Sequence, residues 1–265
     1  MNDTTTPTSQ LLSLVLGRRA TLDSDEIAAL AQLPVRSRRF SHGDTIIPQG
    51  PAPEESCLVV SGMALRVQPT TSERGIVSAV QIPGDFVDLH ALVLDYLDHS
   101  VVAQGECKVQ LVPKEALQEL TRNHPHLTRL LWMTTLIDAK IHRAWLAAGA
   151  TLRAKERIAH FLCELYVRYD IIGFVENGSF EMPLDQKDLE RIFGLSKAHA
   201  NRAVQELRGQ SLIDWHRHRV VIHDFERLST LARFDPSYLE VAQLGRQSAP
   251  SISSQPLSAT TDASR

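Results

Sequence analysis

The segment Ser196-Lys197-Ala198-His199-Ala200-Asn201-Arg202 alternates small residues with cationic and hydrogen-bonding ones. On a helix, Ala200, Ala203, Val204 and Leu207 form one apolar stripe. Lys197, His199, Asn201, Arg202 and Gln205 are then left facing outward. These side chains suit recognition rather than bond-breaking. An arginine fork can make two hydrogen bonds to a guanine edge, and lysine or histidine can reach bases or phosphates. Ser196 is a good helix cap, and the first-turn amides of the helix it opens would face an anion. A second helix is expected just upstream, over 186–193. Asp185 is its cap, Asp188 stands three positions on, and Leu189, Ile192 and Phe193 point inward. Gly194 supplies the turn that needs positive φ, and Leu195 plugs the angle between the two helices. Downstream, residues 213–222 read as a hairpin whose tip, His216-Arg217-His218, is basic and suited to phosphate contact. Helix, glycine turn, helix and basic hairpin in this order predict a winged helix-turn-helix that reads duplex DNA. The expected contact residues are Gln186, Lys187, Ser196, Lys197, Ala198, His199, Arg202, His216, Arg217 and His218. An ordinary helix pair in a small domain is the alternative.

Bulk properties narrow the other classes. The net charge is −3, which does not by itself announce a nucleic-acid partner. Residues 185–219 carry seven basic and five acidic residues plus three histidines, a weak local asymmetry. Cys57, Cys107 and Cys163 stand far apart, so neither a disulfide framework nor a cysteine-rich metal site is expected. A reducing, cytoplasmic setting fits them. No apolar run reaches the roughly 18 residues of a membrane span, and no signal-peptide pattern opens the chain. A Gly-x-Ser-x-Gly elbow, a metal-spaced histidine pair and a phosphate-binding loop are all absent, so an enzyme is not expected.

The elements that must position the reading helix come in three parts. Over 21–124, β-prone runs (45–47, 56–60, 64–67, 76–80, 100–103 and 108–112) alternate with turns such as His42-Gly43-Asp44, Ser61-Gly62 and Pro83-Gly84-Asp85. That pattern predicts an antiparallel β-roll or jelly roll, with short helices over 22–32 and 113–122. A long helix over 125–149 follows, with Pro125 in its first turn. Leu130, Thr134, Ile137, Ile141, Ala144 and Ala148 repeat at spacings of four and three, which predicts a coiled-coil seam and a homodimer. Packing of that stripe on the chain's own barrel is the alternative. Residues 150–235, opened by a helix over 151–169, form the DNA-binding domain. The fold class is therefore α+β. Residues 1–20 and 236–265, rich in Ser, Thr, Pro and Gln towards their outer ends, are expected to be disordered.

Taken together, the chain resembles the Crp/Fnr family of bacterial transcription regulators over about residues 20–235. The resemblance rests on His42-Gly43-Asp44, Gln49-Gly50, Ser61-Gly62, Pro83-Gly84-Asp85-Phe86, the long helix, and Asp185-Gln186-Lys187-Asp188-Leu189 with Gly194-Leu195-Ser196 and Asn201-Arg202. It implies a cyclic-nucleotide-binding-like β-roll, a homodimer on two-fold symmetric DNA, and RNA polymerase as a partner. It implies that Arg202 reads a base and that Lys187 and His216 contact phosphates. Lys197 stands where the family has a first base-reading arginine, keeping the charge but losing the fork. Ala198 stands where the family has glutamate, so an acceptor for cytosine is missing and a different half-site is expected. The family's effector segment corresponds to Asp85, Val87, Asp88, His99 and Ser100. Val87 replaces the glycine before the acid, His99 replaces the phosphate-binding arginine, and Asp98 adds negative charge. Cyclic AMP is therefore not expected. Residues 1–56 lack cysteine, so the family's iron–sulfur cluster is not expected either. His42, His90, His99 and Cys57 are candidate haem ligands, but isolated residues of these types are more often surface or core, and no cofactor is predicted. The alternatives are a cyclic-nucleotide- or haem-responsive member, or a ligand-sensing protein whose helix-turn-helix no longer reads DNA.

Overall fold

The computed structural model describes residues 8–71 and 75–241, without the side chains of residues 8–10 and Gln186. Two helices, α1 (Thr8–Gly17) and α2 (Ser24–Ala31), precede the sheet. Asp23 caps α2 in a reciprocal box with Glu26. The β-roll follows: β1 (Arg36–Phe40), β2 (Thr45–Ile47), β3 (Gly50–Pro51), β4 (Glu55–Gln68), β5 (Ile76–Gln81), a 3-10 turn over Leu89–Leu92, β6 (Tyr96–Leu97) and β7 (Ser100–Pro113). Its main sheet has the antiparallel order β1-β7-β4-β5, with β2 also on β7, while β3 pairs β6. Phe40, Cys57, Val59, Val87, Leu97, Val101 and Val109 fill the roll.

The turn expected at Ser61-Gly62 is not one. β4 runs through it as a continuous strand with an irregular register against β7. Gly62 has φ +80°, and a Cβ there would lie 2.1 Å from the Glu106 carbonyl oxygen, so only glycine lets the strands close. Likewise the two runs at 100–103 and 108–112 are one strand, β7.

α3 (Lys114–Asn123) leads into α4 (Pro125–Thr151), 27 residues or roughly 40 Å of helix that continue through Gly149. The C-terminal domain consists of α5 (Ala154–Ile171), β8 (Ser179–Glu181), α6 (Gln186–Phe193), α7 (Lys197–Gly209), β9 (Ile213–His216), β10 (Arg219–Ile222) and α8 (Phe225–Ala232), and a 3-10 turn over Pro236–Leu239 follows it.

Three expectations need correction. Residues 8–17 form a helix rather than a disordered segment, because Leu11, Leu12, Val15 and Leu16 recur at helical spacing and are all buried. Leu11 and Val15 join the core shared by β5 and the C-terminal domain, while Leu12 and Leu16 join the core under α3 and α4. Residues 236–239 are likewise ordered, with Leu239 buried against Ile137 and Ile141. Residues 1–7 and 242–265, also expected to be disordered, lie outside the described residues.

The third correction concerns the seam. Leu130, Ile137 and Ile141 are buried within the single chain: Leu130 faces the core that contains α1, and the other two face Leu239. The Thr134 hydroxyl donates back to the Leu131 carbonyl, and Ala144 and Ala148 are half-buried. The alternative that this stripe packs on its own chain is the one found. The large exposed apolar residues of α4 are Trp132 (66%), Leu136 (55%) and Leu146 (76%), on another face. Ala139 and Arg143 complete this second stripe, again at spacings of four and three.

Candidate nucleic-acid interface

Local chemistry builds the reading surface. The Asp185 side chain accepts from the Lys187 and Asp188 amides, and Asp188 accepts in return from the Asp185 amide. Gly194 ends α6 at φ +63°, in the left-handed region that glycine enters most easily. Arg157 Nη2 donates to the Phe193 carbonyl at 2.7 Å while its guanidinium lies 5.4 Å from the Phe193 ring centroid. The turn between the helices is thus fixed from both sides. Ser196 caps α7 by accepting from the His199 amide, and its hydroxyl stands 3.0 Å from His199 Nδ1. That contact holds the imidazole and leaves the other ring nitrogen for solvent or a ligand. Ala200, Ala203, Val204 and Leu207 are buried, as the apolar stripe requires.

Of the sequence-predicted contacts, Lys187, Lys197 and Arg217 line one cleft. Lys187, Lys197, Ala198, His199 and Arg202 are exposed, and His216, Arg217 and His218 are exposed at the hairpin tip. Gln186 opens α6, but its side chain lies outside the described residues. The hairpin pairs Arg219 with His216, and Arg217 sits at φ +53°, which turns the tip in two residues. Lys187, Lys197, Arg202 and Arg217 form no ion pair among the described residues. Their charge is therefore available to an anionic partner.

Sequence reasoning named Lys187, Lys197, Gln205 and Arg217 but missed Arg208 and Trp215, which complete the floor of this surface. A cleft of about 290 Å³ between α6, α7 and the hairpin is lined by Lys187, Lys197, Gln205, Arg208, Trp215 and Arg217. Trp215 Nε1 donates to the Arg217 carbonyl at 3.2 Å, so the indole braces the hairpin tip. The signal was present: 197, 201, 205 and 208 share one helix face.

The effector segment is arranged differently from the expectation. Asp85 does not face the roll interior; its Oδ2 accepts from Arg168 on α5 at 2.6 Å. Val87 is buried, and Ser100 Oγ accepts from the Gln49 amide. Asp88 is fully buried and accepts from Ser56 Oγ and the Cys57 amide, both at 2.8 Å. A cyclic phosphate needs cationic charge that is free to meet it. Arg66 is already engaged with Asp138 of α4 at 2.6 Å and with the Val87 carbonyl. Burial pushes His99 below the usual imidazole range, and Asp98 sits 2.7 Å from its Nδ1. The residues present do not fit a cyclic nucleotide.

Burial raises the Asp88 carboxyl to about 6, against 3.8 for an ordinary aspartate, opposed by the Cys57 and Ser56 hydrogen bonds. A carboxyl raised in the fold stabilises it most below 3.8, and that contribution is lost as pH rises through about 6. The full loss is about 3 kcal/mol. The stability difference between Asp88→Asn and the parent chain should therefore move in favour of the variant by roughly 2 kcal/mol between pH 4.5 and 7.5. Urea unfolding at the two pH values checks this; a difference independent of pH would contradict it.

Comparison with known proteins supports the same parts. The cyclic nucleotide-binding domain family matches residues 37–124, and the Crp-like helix-turn-helix domain family matches residues 156–231. The transcriptional activator protein FnrL of Cereibacter sphaeroides is 27% identical over 214 residues, covering 79% of this chain and 85% of its own length. FnrA of Stutzerimonas stutzeri is 24% identical over 211 residues, covering 80% and 86%. Among solved structures, FixK2 of Bradyrhizobium japonicum aligns with TM-score 0.67 and 22% identity, over 75% of this chain and 98% of that one. Fold and site together define a helix-turn-helix regulator that carries a cyclic-nucleotide-binding-type roll. The chain belongs to the Crp/Fnr family of transcription regulators, whose Crp-like helix-turn-helix domain binds DNA.

Proposed function

We propose that the protein acts as a homodimer on two-fold symmetric DNA sites, reads one half-site per protomer with α7, and does so without cyclic AMP. The observation that carries the reading is the set of unpaired cations Lys187, Lys197, Arg202 and Arg217 around the exposed first turns of α7. Arg202 reads a base edge, Lys197 and His199 reach bases or phosphates, and the His216–His218 tip and Lys187 hold the backbone. Ala198 offers no acceptor to cytosine, so the preferred half-site departs from one read through a glutamate there. The exposed stripe Trp132, Leu136, Ala139, Arg143 and Leu146 is the dimer contact, since two parallel copies of α4 would cover it at heptad spacing. No helix among the described residues is long and apolar enough to cross a membrane, in keeping with work in the cytoplasm on DNA. RNA polymerase is the further partner that family membership suggests.

Selection of bound duplexes from random sequence tests the reading. Two-fold sites with a steep salt dependence are expected. Arg202→Ala should weaken binding by about 1–3 kcal/mol and relax one base position per half-site. No enrichment at low salt would refute the proposal, and unchanged base preference in the variant would move the reading surface elsewhere.

A further inference from the structure

The β-roll does more than carry the DNA-binding domain on a flexible joint. It grips the domain through one apolar seat and two polar contacts beside it. First, Met63, Leu65, Val77, Val80 and Ile82 of the roll share one continuous core with Ile158, Phe161, Leu162, Leu184 and Leu189 of the DNA-binding domain. Second, Arg168 of α5 donates to the Val80 carbonyl at 3.0 Å and to Asp85 at 2.6 Å, at the end of β5. Third, Gln104 of β7 donates through Nε2 to the Pro183 carbonyl and to Asp188 Oδ2, both at 2.8 Å. A single side chain of the roll thus holds the capping box that opens α6. Gln104 is 6% exposed and Asp188 8%, so water does not compete for this hydrogen bond to a carboxylate. Gly105 beside it lets the strand approach Pro183: a Cβ there would lie 3.1 Å from the Pro183 ring.

Two polar contacts added to one apolar seat fix the domain's angle more tightly than the seat does alone. Without Gln104, the domain keeps its apolar seat and the Arg168 contact, and its angle about them is held less tightly. The recognition helix is rigidly joined to the gripped cap through α6 and Gly194. In a dimer on DNA, adding one base pair between half-sites separates them by about 3.4 Å and rotates one against the other by about 35°. A domain held at one angle cannot follow that rotation, but a pivoting one can.

We propose that Gln104 is a positioning residue that fixes the angle of the DNA-binding domain on the β-roll and thereby sets which half-site spacing the dimer accepts. The inference rests on the dimeric DNA-binding reading above. It assigns spacing selectivity to a side chain 84 positions before the capping acid and absent from the reading surface.

The test uses the full chain, with Gln104→Met and Gln104→Glu. Methionine fills the same space without donating. Glutamate sets a second carboxylate against Asp188. The probes are duplexes that carry the selected half-sites at the preferred spacing and with one base pair removed or added. The parent chain should prefer one spacing by about tenfold or more, in line with the cost of a lost base contact. Both variants should narrow that preference to about threefold or less, with base preferences inside each half-site unchanged. A variant that merely folds less well loses active protein equally for every duplex, so the ratio between spacings would not move. An unchanged ratio in both variants overturns the inference, as does a parent chain indifferent to spacing. A parent chain that selects no two-fold site removes the dimeric reading itself and the inference with it.

Discussion

Replacing Arg168 with leucine is expected to destabilise the protein by about 3–5 kcal/mol, more than any single surface change. Its guanidinium, 9% exposed, lies between Asp85 and Glu164, with Nη1 3.3 Å from a Glu164 oxygen. Glu164 is fully buried and also accepts from Trp145 Nε1 and the Tyr238 hydroxyl, both at 2.9 Å. Burial raises the Glu164 carboxyl, and the Arg168 charge opposes that rise. Removal of the cation strands the buried Glu164 carboxyl in a low-dielectric site and takes a partner from the half-buried Asp85. The cluster joins β5, α4, α5 and the 3-10 turn after α8, so the loss should appear as a lower urea midpoint for the whole chain rather than for one domain. A second change, Glu164→Gln, should recover part of it by removing one stranded charge. A loss below about 1 kcal/mol for Arg168→Leu, or no recovery in the double variant, would mean that the cluster is hydrated or electrostatically neutral in practice.

Leu136→Asp should have the largest effect on function. Leu136 is 55% exposed on the free stripe of α4, so an aspartate costs the folded protomer little. In a dimer it would bury an unpaired charge against the partner helix. The variant should sediment as a monomer and lose the gain from engaging two half-sites at once, on the order of 100-fold or more in affinity for a two-fold site. Ile141→Asp makes the contrast. Ile141 is buried beside Leu239, so the charge would enter the protomer's own core and lower stability. A Leu136→Asp protein that remained dimeric would place the interface off this stripe.

The contrast also explains what could be read from the sequence. The winged helix-turn-helix was legible because each of its signals is local: Asp185 and Ser196 as caps, Gly194 at the turn, and the alanines of α7 at one spacing. The β-roll was legible from its turns, although glycines at 62 and 105 punctuate strands without ending them. The covered face of α4 was not legible. The helix carries two stripes with the same heptad spacing, and the choice between them is made by Leu239 and α1, which arrive from remote parts of the chain. α1 itself offered its pairs Leu11-Leu12 and Val15-Leu16, but the polar residues before them outweighed that signal. Asp85 and Gln104 share the same limit. Arg168 and Asp188, their partners across the two domains, stand 83 and 84 residues away, and nothing in a one-dimensional spacing marks which side of the roll they face.

The first helix has one more consequence, concerning the order in which the molecule can be assembled. Val15 lies against Gly84 and beside Ile172, and Leu11 shares its core with residues of α5. A nascent chain releases α1 long before those neighbours exist. The roll and α4 can settle as synthesis proceeds. α1 can bury Leu12 and Leu16 then, but Leu11 and Val15 must wait for α5 to arrive. α1 is therefore fully seated only once α5 has joined it, and until then its apolar edge is left for a chaperone, or a neighbouring chain, to find.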